Sequence, residues 1–403
     1  MSSFLSLSLL LSILAGQLIK IPVGTHGGVT LLDINIGCLS LLGLWQRRAN
    51  FQKPPLLIKV TLIFILIALV SLILTPLKLT ISEYLTSFLY LVRFSFYVLF
   101  GWLVYQGIFP TIKQNLAKIL LFSGVSLAIL GLLQFLILPD LRFLEKEGWD
   151  PHFFRAAAAF LDPNFLGAYL VLTLILLVSL RGTLSDEAIF PVRLPQPLRG
   201  FAMTIVYLAL LTTFSRGAYL AFLTGFATIA ILKRSVRIGL FTLLLFAGLI
   251  LGFTIYQGLI AQPRNIDRSQ SAESRLNTWQ QGLTLFTYHP ILGVGFNAYR
   301  YALKQYNLGS DQFINSRGAS FNDASLLHIA TTTGIIGLTS FFSILAALAY
   351  SSWQIKQKSK WAIILLAGLT AVITQSFFTN NLFYPFIMIW IILVAVQAFK
   401  SSS

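Results

Sequence analysis

Three side chains of this sequence are of the right type and in the right setting to handle an anionic, hydroxyl-bearing substrate: Arg216, Arg275 and Asp323. A guanidinium presents a planar, permanently charged fork of N–H donors that matches phosphate oxygens in pairs. A carboxylate within reach of a hydroxyl can hold it or take its proton. Arg216 follows a break, Phe214-Ser215-Arg216-Gly217, between two apolar runs, and Gly217 leaves room for close approach. It equally reads as an arginine snorkelling to an interface. Arg275 stands at the edge of an amphipathic helix, where pairing with Glu273 or a lipid headgroup is the plainer reading. Asp323 closes a long polar stretch just before an apolar run, a place where a carboxylate also serves as a helix cap. Asp162-Pro163-Asn164 opens another apolar run. Pro163 frees a carbonyl there and the flanking side chains offer oxygens, or Asp162 is an ordinary cap with proline in the first turn.

The elements that must position these groups are membrane spans. The 403 residues are 56% hydrophobic and only 10% charged, against about 25% charged in a soluble domain. Repeated apolar runs of roughly 18 residues or more read as transmembrane helices. The expected fold is an all-α polytopic membrane protein of about twelve spans: 3–22, 28–45, 56–77, 84–108, 119–139, 156–180, 198–214, 216–232, 238–260, 325–352, 361–378 and 382–399. The first run lacks a basic start and a cleavage site, and reads as a retained helix. One large external loop, 261–323, divides the chain into an N-terminal membrane part (1–260), the loop subdomain and a C-terminal membrane part (324–403).

Basic residues set the orientation. Arg47, Arg48 and Lys53; Lys113 and Lys118; Arg181, Arg193 and Arg199; Lys233, Arg234 and Arg237; Lys356, Lys358 and Lys360; and Lys400 fall on one side if both termini are cytoplasmic. Acids such as Glu83, Asp140, Asp150, Asp267 and Asp323 fall opposite, which puts 261–323 outside. Arg199 and Lys233 share a side only if the run between them crosses twice, which makes Phe214-Ser215-Arg216-Gly217 an external turn. Pro191, Pro195 and Pro197 mark an irregular cytoplasmic connection. The formal charge of +16 then reflects cytoplasmic loops and anionic headgroups, not nucleic acid.

Within the loop, Ser271 is the expected cap of a helix with Glu273 in its first turn, and Leu276, Trp279, Leu283 and Phe286 form an apolar stripe expected to pack on the membrane part. Asp33 and Arg93 lie inside spans and are expected to pair. Four scattered histidines and the lone Cys38 give no metal-ligand spacing, and no acidic cluster is expected to offer a magnesium site. His328 reads as a packed or hydrogen-bonded histidine.

Taken in order, Phe160-Leu-Asp-Pro-Asn164, Thr213-Phe-Ser-Arg-Gly-Ala218, Arg275-Leu-Asn-Thr-Trp279, His289-Pro-Ile-Leu-Gly-Val-Gly295, Asp323-Ala-Ser-Leu and Gly334-Ile-Ile-Gly337 resemble the O-antigen ligase/polymerase superfamily of bacterial membrane glycan-joining enzymes. The resemblance implies transfer of a glycan from an undecaprenyl-diphosphate carrier to an acceptor glycan or lipid at the outer face of the cytoplasmic membrane, with no metal or other cofactor. It implies Arg216 and Arg275 as diphosphate ligands. Asp323 is the candidate catalytic base, its pKa expected to fall beside two arginines. Asp162, Asn164, Ser215 and Trp279 fall within the motifs as candidate substrate contacts. Lipopolysaccharide ligases carry a histidine at the start of the span after the loop; Asp323-Ala324 stands here, which fits a polymerase-like or divergent member. The alternative is a transporter of a small anion such as bicarbonate.

Overall fold

The computed structural model describes residues 2–23, 27–46, 55–179, 196–262 and 269–400. Its elements are α1 (Ser2–Ala15), β1 (Lys20–Val23), β2 (Gly27–Thr30), α2 (Leu31–Gln46), α3 (Leu56–Ile73), α4 (Ile81–Tyr105), α5 (Pro110–Ile137), α6 (Pro163–Ser179), α7 (Gln196–Thr213), α8 (Arg216–Leu232) and α9 (Val236–Tyr256). They continue with α10 (Ser269–Tyr288), α11 (Tyr299–Gln305), α12 (Asp311–Asn315), α13 (Ser325–Ile355), α14 (Lys360–Gln375) and α15 (Pro385–Lys400). Each expected span overlaps one of these apolar helices, although helix α1 stops at Ala15 and the end of the expected span 3–22 is strand β1. Among the described residues, five helices are long and apolar enough to cross a membrane: Leu56–Ile73, Ile81–Tyr105, Pro110–Ile137, Val236–Ala261 and Gly318–Ile355. Seven shorter apolar helices of 10–17 residues accompany them. Arg47, Arg48, Lys53, Arg181, Pro191, Arg193, Pro195 and Asp267 lie outside the described residues.

Side-chain chemistry starts and ends the helices. Thr80 and Glu83 form a reciprocal capping box at α4. Pro110 and Pro163 occupy first-turn positions, where the missing N–H costs nothing. Helix α6 is buried almost throughout, on α5, α7, α8 and α14. By contrast α9 turns Leu240, Phe241, Leu243, Leu244 and Leu251 outward, as a helix facing lipid does.

The expected break after α7 is a helical hairpin. Phe214 takes a left-handed conformation (φ 46°) and stacks on Tyr256 with ring centres 3.9 Å apart. Ser215 caps α8 by accepting from the Ala218 amide. The Tyr219 hydroxyl donates to the Leu211 carbonyl at 2.6 Å across the turn, and both helices pack on α6.

The motif His289–Gly295 is structural. It seats in a break of α13 at Gly334 (φ 65°, ψ −169°). The amides of Val294 and Gly295 donate to the carbonyls of Thr331 and Thr332 (2.9 and 3.1 Å), and the Ile335 amide donates to the Pro290 carbonyl (2.8 Å). Ser71 of α3 donates to the carbonyls of Leu292 and Thr332. Backbone groups freed by the break are thus satisfied by the loop, as an apolar setting requires. The loop segment also has a small core of its own, in which Leu285, Val294, Tyr299, Ala302 and Leu303 pack with Leu77. Buried Arg300 ties it by donating to the carbonyls of Ile314 and Ser316.

Two expectations about α10 are corrected. The helix begins at Ser269, two residues before the expected cap Ser271, so Glu273 lies beyond the first turn. Its inward face is Thr278, Gly282 and Leu285, whereas Leu276 and Leu283 are exposed. Small residues win because α10 approaches α13 closely: Thr331 donates to the Gly282 carbonyl at 3.1 Å, and Gly282 has no room for a Cβ beside Asn322 and Leu327. Arg275 precedes Thr278 by three residues and lies on that inward face. The intramembrane pair is present: Arg93 Nη1 lies 3.9 Å from Asp33 Oδ2. Asp33 also accepts from the Tyr97 hydroxyl and from Thr30 at 2.9 Å.

At Gly334 an added Cβ would lie 2.0 Å from the Ile291 carbonyl oxygen, on a backbone already in the left-handed region. Gly334→Ala is therefore expected to lower the melting temperature of the purified protein in detergent sharply, by about 3 kcal/mol or more of stability. Gly37→Ala, where a Cβ meets nothing within 4 Å, serves as the control.

Candidate active site

Four polar connections gather at one end of the helix bundle around a cavity of about 490 Å³: the β1–β2 hairpin, residues 148–164, the loop segment, and residues 378–385. Its ionisable lining is Lys20, Arg93, Asp150, His152, Arg155, Asp162, Arg275, Arg317, Asp323 and His328. Of the residues singled out in the sequence, Asp162, Asn164, Arg275 and Asp323 line this cavity. Arg216, Ser215 and Trp279 do not.

Asp323 sits between the loop core and α13. Its carboxylate accepts from Thr278 Oγ1 at 3.3 Å. The preceding Asn322 is wholly buried and fixes the approach: its side-chain amide donates to the Thr278 carbonyl and to the Tyr299 hydroxyl, and its Oδ1 accepts from the Ala324 amide. The expected fall in the Asp323 pKa is corrected. Burial raises it and outweighs the lowering by Arg275 and the Thr278 hydrogen bond, while Asp162 adds to the rise. A raised carboxyl is the stronger base, so the site favours proton transfer more than sequence reasoning allowed.

Asp162 does both things its position suggests. It caps α6, accepting from the amides of Asn164 (2.6 Å) and Phe165 (3.4 Å), and it lines the cavity. Asn164 Oδ1 accepts from Ser215 Oγ at 2.8 Å and from Arg155 Nη2 at 3.5 Å, while its carbonyl accepts from Gln375. Ser215 thus orients Asn164 from behind. Arg155 also donates to the Thr213 carbonyl at 2.9 Å, which ties residues 148–164 to the turn that carries Arg216.

Arg216 is exposed, with its guanidinium carbon 6.0 Å from the Phe253 ring centre. It lies close enough to Arg275 for the two positive charges to oppose each other. Convergence of the two arginines is therefore partial: Arg275 enters the cavity and Arg216 stands beside it. Trp279 packs near Phe378 with ring centres 6.5 Å apart. Buried His328 accepts from the Asn322 amide through Nδ1 at 3.3 Å and lies edge-on to Tyr299, although it also borders the cavity.

Sequence reasoning missed Lys20, Trp149, Asp150, Arg155 and Arg317 as cavity residues. The one available signal was that acids and the loop arginines fall on the same side; nothing in their spacing joins them. The expectation that no acidic cluster forms is also not met. Asp150, His152 and Asp162 bring ligand atoms within 4.8 Å of one another, a donor set and spacing that a divalent cation accepts. Asp150 is exposed as a residue, but its carboxyl faces into the cavity. Desolvation there, with the charges of Asp162 and Asp323, pushes it up to about 6.

A carboxyl raised in the folded state is destabilising once ionised. The cost is absent below the unfolded value near 4 and complete above about 6. Asp150→Asn is thus expected to raise the melting temperature at pH 8, on the order of 2 °C, with the gain shrinking towards pH 4. A gain at pH 4 that vanishes at pH 8 would reverse the assignment.

Residues 201–342, from α7 into α13, match the family model described as O-antigen ligase. The match contains Arg216, Arg275, Trp279 and Asp323, while Asp150, Asp162 and Asn164 come from outside it. No curated protein matches the chain. Five of the described helices are long and apolar enough to cross a membrane, and residues 201–342 are similar to the O-antigen ligase family.

Proposed function

We propose that the protein transfers a glycan from an undecaprenyl-diphosphate carrier to an acceptor glycan or lipid, in the cavity bounded by Arg275, Asp162 and Asp323. The observation that supports this best is the meeting of two unlike cavities. Phe94 and Met388 line both the charged cavity and a second one of about 360 Å³, which runs between α3, α4, α13 and α15. Among the described residues, the second cavity has no Asp, Glu, Lys, Arg or His in its lining. Together they suit an amphiphile with a charged head and a long hydrocarbon tail. A small-anion transporter would need ionisable groups along a path through both halves of the bundle, and the uncharged lining of the second cavity disfavours that reading.

In the proposed reaction the acceptor hydroxyl attacks the anomeric carbon of the donor sugar. The new C–O bond forms as the bond to the carrier diphosphate breaks, and the diphosphate leaves with the electron pair. Asp323 takes the hydroxyl proton. Arg275, with Arg216 beside it, offsets the charge that develops on the leaving diphosphate. Ser215 orients Asn164, and Asn164 and Asp162 offer oxygens to sugar hydroxyls. Trp279 backs Phe378, which lines the cavity. Asp150, His152 and Asp162 would be the ligands if a divalent cation took part; the proposed route does not require one.

In the proposed orientation both termini are in the cytoplasm and 261–323 outside, on the asymmetry of the basic residues. Cys38 is free and exposed, so Cys38→Ser is the background for a single cysteine at Ser310. An impermeant maleimide should label it in intact cells whose outer layer is breached; labelling only after lysis of the inner membrane inverts the orientation.

The catalytic assignment is tested by transfer rates of purified variants. Asp323→Asn keeps shape and hydrogen bonding but removes the base, and should lower kcat by about 10²-fold or more. Arg275→Lys should cost a similar factor, because a point charge cannot reproduce the paired donors of the fork. Normal turnover by Asp323→Asn with loss in Asp323→Ala leaves Asp323 a positioning residue; activity in both removes it from the site.

A further inference from the structure

The cavity contains a second group of cations that the transfer chemistry above leaves unused. Arg317 stacks on Trp149 with its guanidinium carbon 4.2 Å from the ring centre, and Lys20 Nζ lies 5.8 Å from the same centre. Lys20 reaches it by lying across β2: an added Cβ at Gly28 would sit 2.0 Å from Lys20 Cε. Arg93 is held in place by Asp33 and lies over Tyr90 at 4.4 Å. All of these residues except Asp33 line the cavity.

The charges are not balanced from within. Among the described residues the ion pairs are Arg93–Asp33 and Arg142–Asp140, so neither Lys20 nor Arg317 has one. Arg317 Nη1 is buried and finds no hydrogen-bond partner. The acid that favours the Arg317 charge is the exposed Glu147, too distant for an ion pair. Burial, and then the charges of Arg317 and Arg93, push Lys20 down to about 8 against a smaller pull from Asp33. Two like charges over one aromatic ring with a third cation beside them, and an orphaned donor among them, are the features of an anion site. The group is electrostatically distinct from the other: Asp323 and Asp150 feel Arg275, whereas Lys20 feels Arg317, Arg93 and Asp33.

We propose that Lys20 and Arg317, gathered around Trp149, form with Arg93 a second anion subsite of this cavity and that it takes the phosphate-bearing group of the acceptor. The proposal rests on the transfer reading and narrows it. If donor and acceptor both carry phosphate, the acceptor is itself a lipid-linked glycan, and the reaction is chain growth.

The test is equilibrium binding of farnesyl diphosphate to the purified full-length protein in detergent. Wild type should bind at two sites. Lys20→Met/Arg317→Gln should lose one, with affinity there falling on the order of tenfold or more, and should keep the site lost by Arg216→Gln/Arg275→Gln. If the Lys20/Arg317 double variant does not fold, Gly28→Ala, which displaces Lys20 without removing its charge, should lose the same site. Two sites retained in these variants, or one site in wild type that only the Arg216/Arg275 pair removes, overturns the proposal. A site lost with Lys20/Arg317 but none with Arg216/Arg275 instead overturns the diphosphate role given to the latter and leaves this subsite standing. Nanodiscs separate the sources of phosphate: displacement of the probe from the Lys20 site by phosphatidylglycerol, but not phosphatidylcholine, makes it a bilayer headgroup site and ends the acceptor assignment.

Discussion

Unbalanced charge at one end of an apolar bundle is the constraint from which the rest of the structure follows. Removing an ion from water costs several kcal/mol unless it is paired and hydrogen-bonded. A chain with 10% charged residues nevertheless places five basic and three acidic side chains, with two histidines, around one cavity. Some of that cost is offset locally: Asp33 holds Arg93, Arg155 lies against the Thr213 carbonyl and Asn164, and Arg275 opposes the rise in the Asp323 pKa. The remainder is not. Arg216 and Arg275 oppose each other, Lys20 and Arg317 share one ring, and the charge of Asp162 raises both Asp150 and Asp323. Such strain persists only where the scaffold over-determines it, and it points to a bound partner that completes the balance.

The scaffold that holds it is rigid for identifiable reasons. The break in α13 at Gly334 gives the loop motif a backbone ladder to join, so the loop segment is hydrogen-bonded to a membrane helix and not merely laid on it. Asn322, the residue next to Asp323, is anchored to three separate groups: the Thr278 carbonyl, the Tyr299 hydroxyl and the Ala324 amide. Ser215 and Gln375 pin Asn164 from two other helices. Asp323 and Asn164 are thereby fixed by neighbours that do not themselves line the cavity, the arrangement that preorganised chemistry needs.

Much of the architecture was legible in the sequence because its signals are local. Apolar run length gave the helices, and basic asymmetry required the α7–α8 hairpin. Asp33 and Arg93 were paired because each is costly alone. The errors arose where tertiary contact outweighs local pattern. The apolar stripe of α10 was expected to face inward, but close approach to α13 selects Thr278 and Gly282 and leaves Leu276 and Leu283 outside. Asp323 was expected to be acidified by arginines, but burial dominates, which cannot be read from a linear chain. The cluster of Asp150, His152 and Asp162, and the meeting of Lys20 with Arg317 almost three hundred residues away, arise only when separate connections fold over the same cavity.

The most direct test of the central claim, that this cavity joins glycans carried on a lipid diphosphate, is an assay with the purified protein in nanodiscs and a defined undecaprenyl-diphosphate oligosaccharide as both donor and acceptor, run with and without EDTA. The expected result is a ladder of longer lipid-linked chains, equal in the two conditions, with release of undecaprenyl diphosphate. An unchanged oligosaccharide with the folded protein present contradicts the transfer reading. A ladder that EDTA abolishes contradicts the metal-free route and moves the chemistry to Asp150, His152 and Asp162.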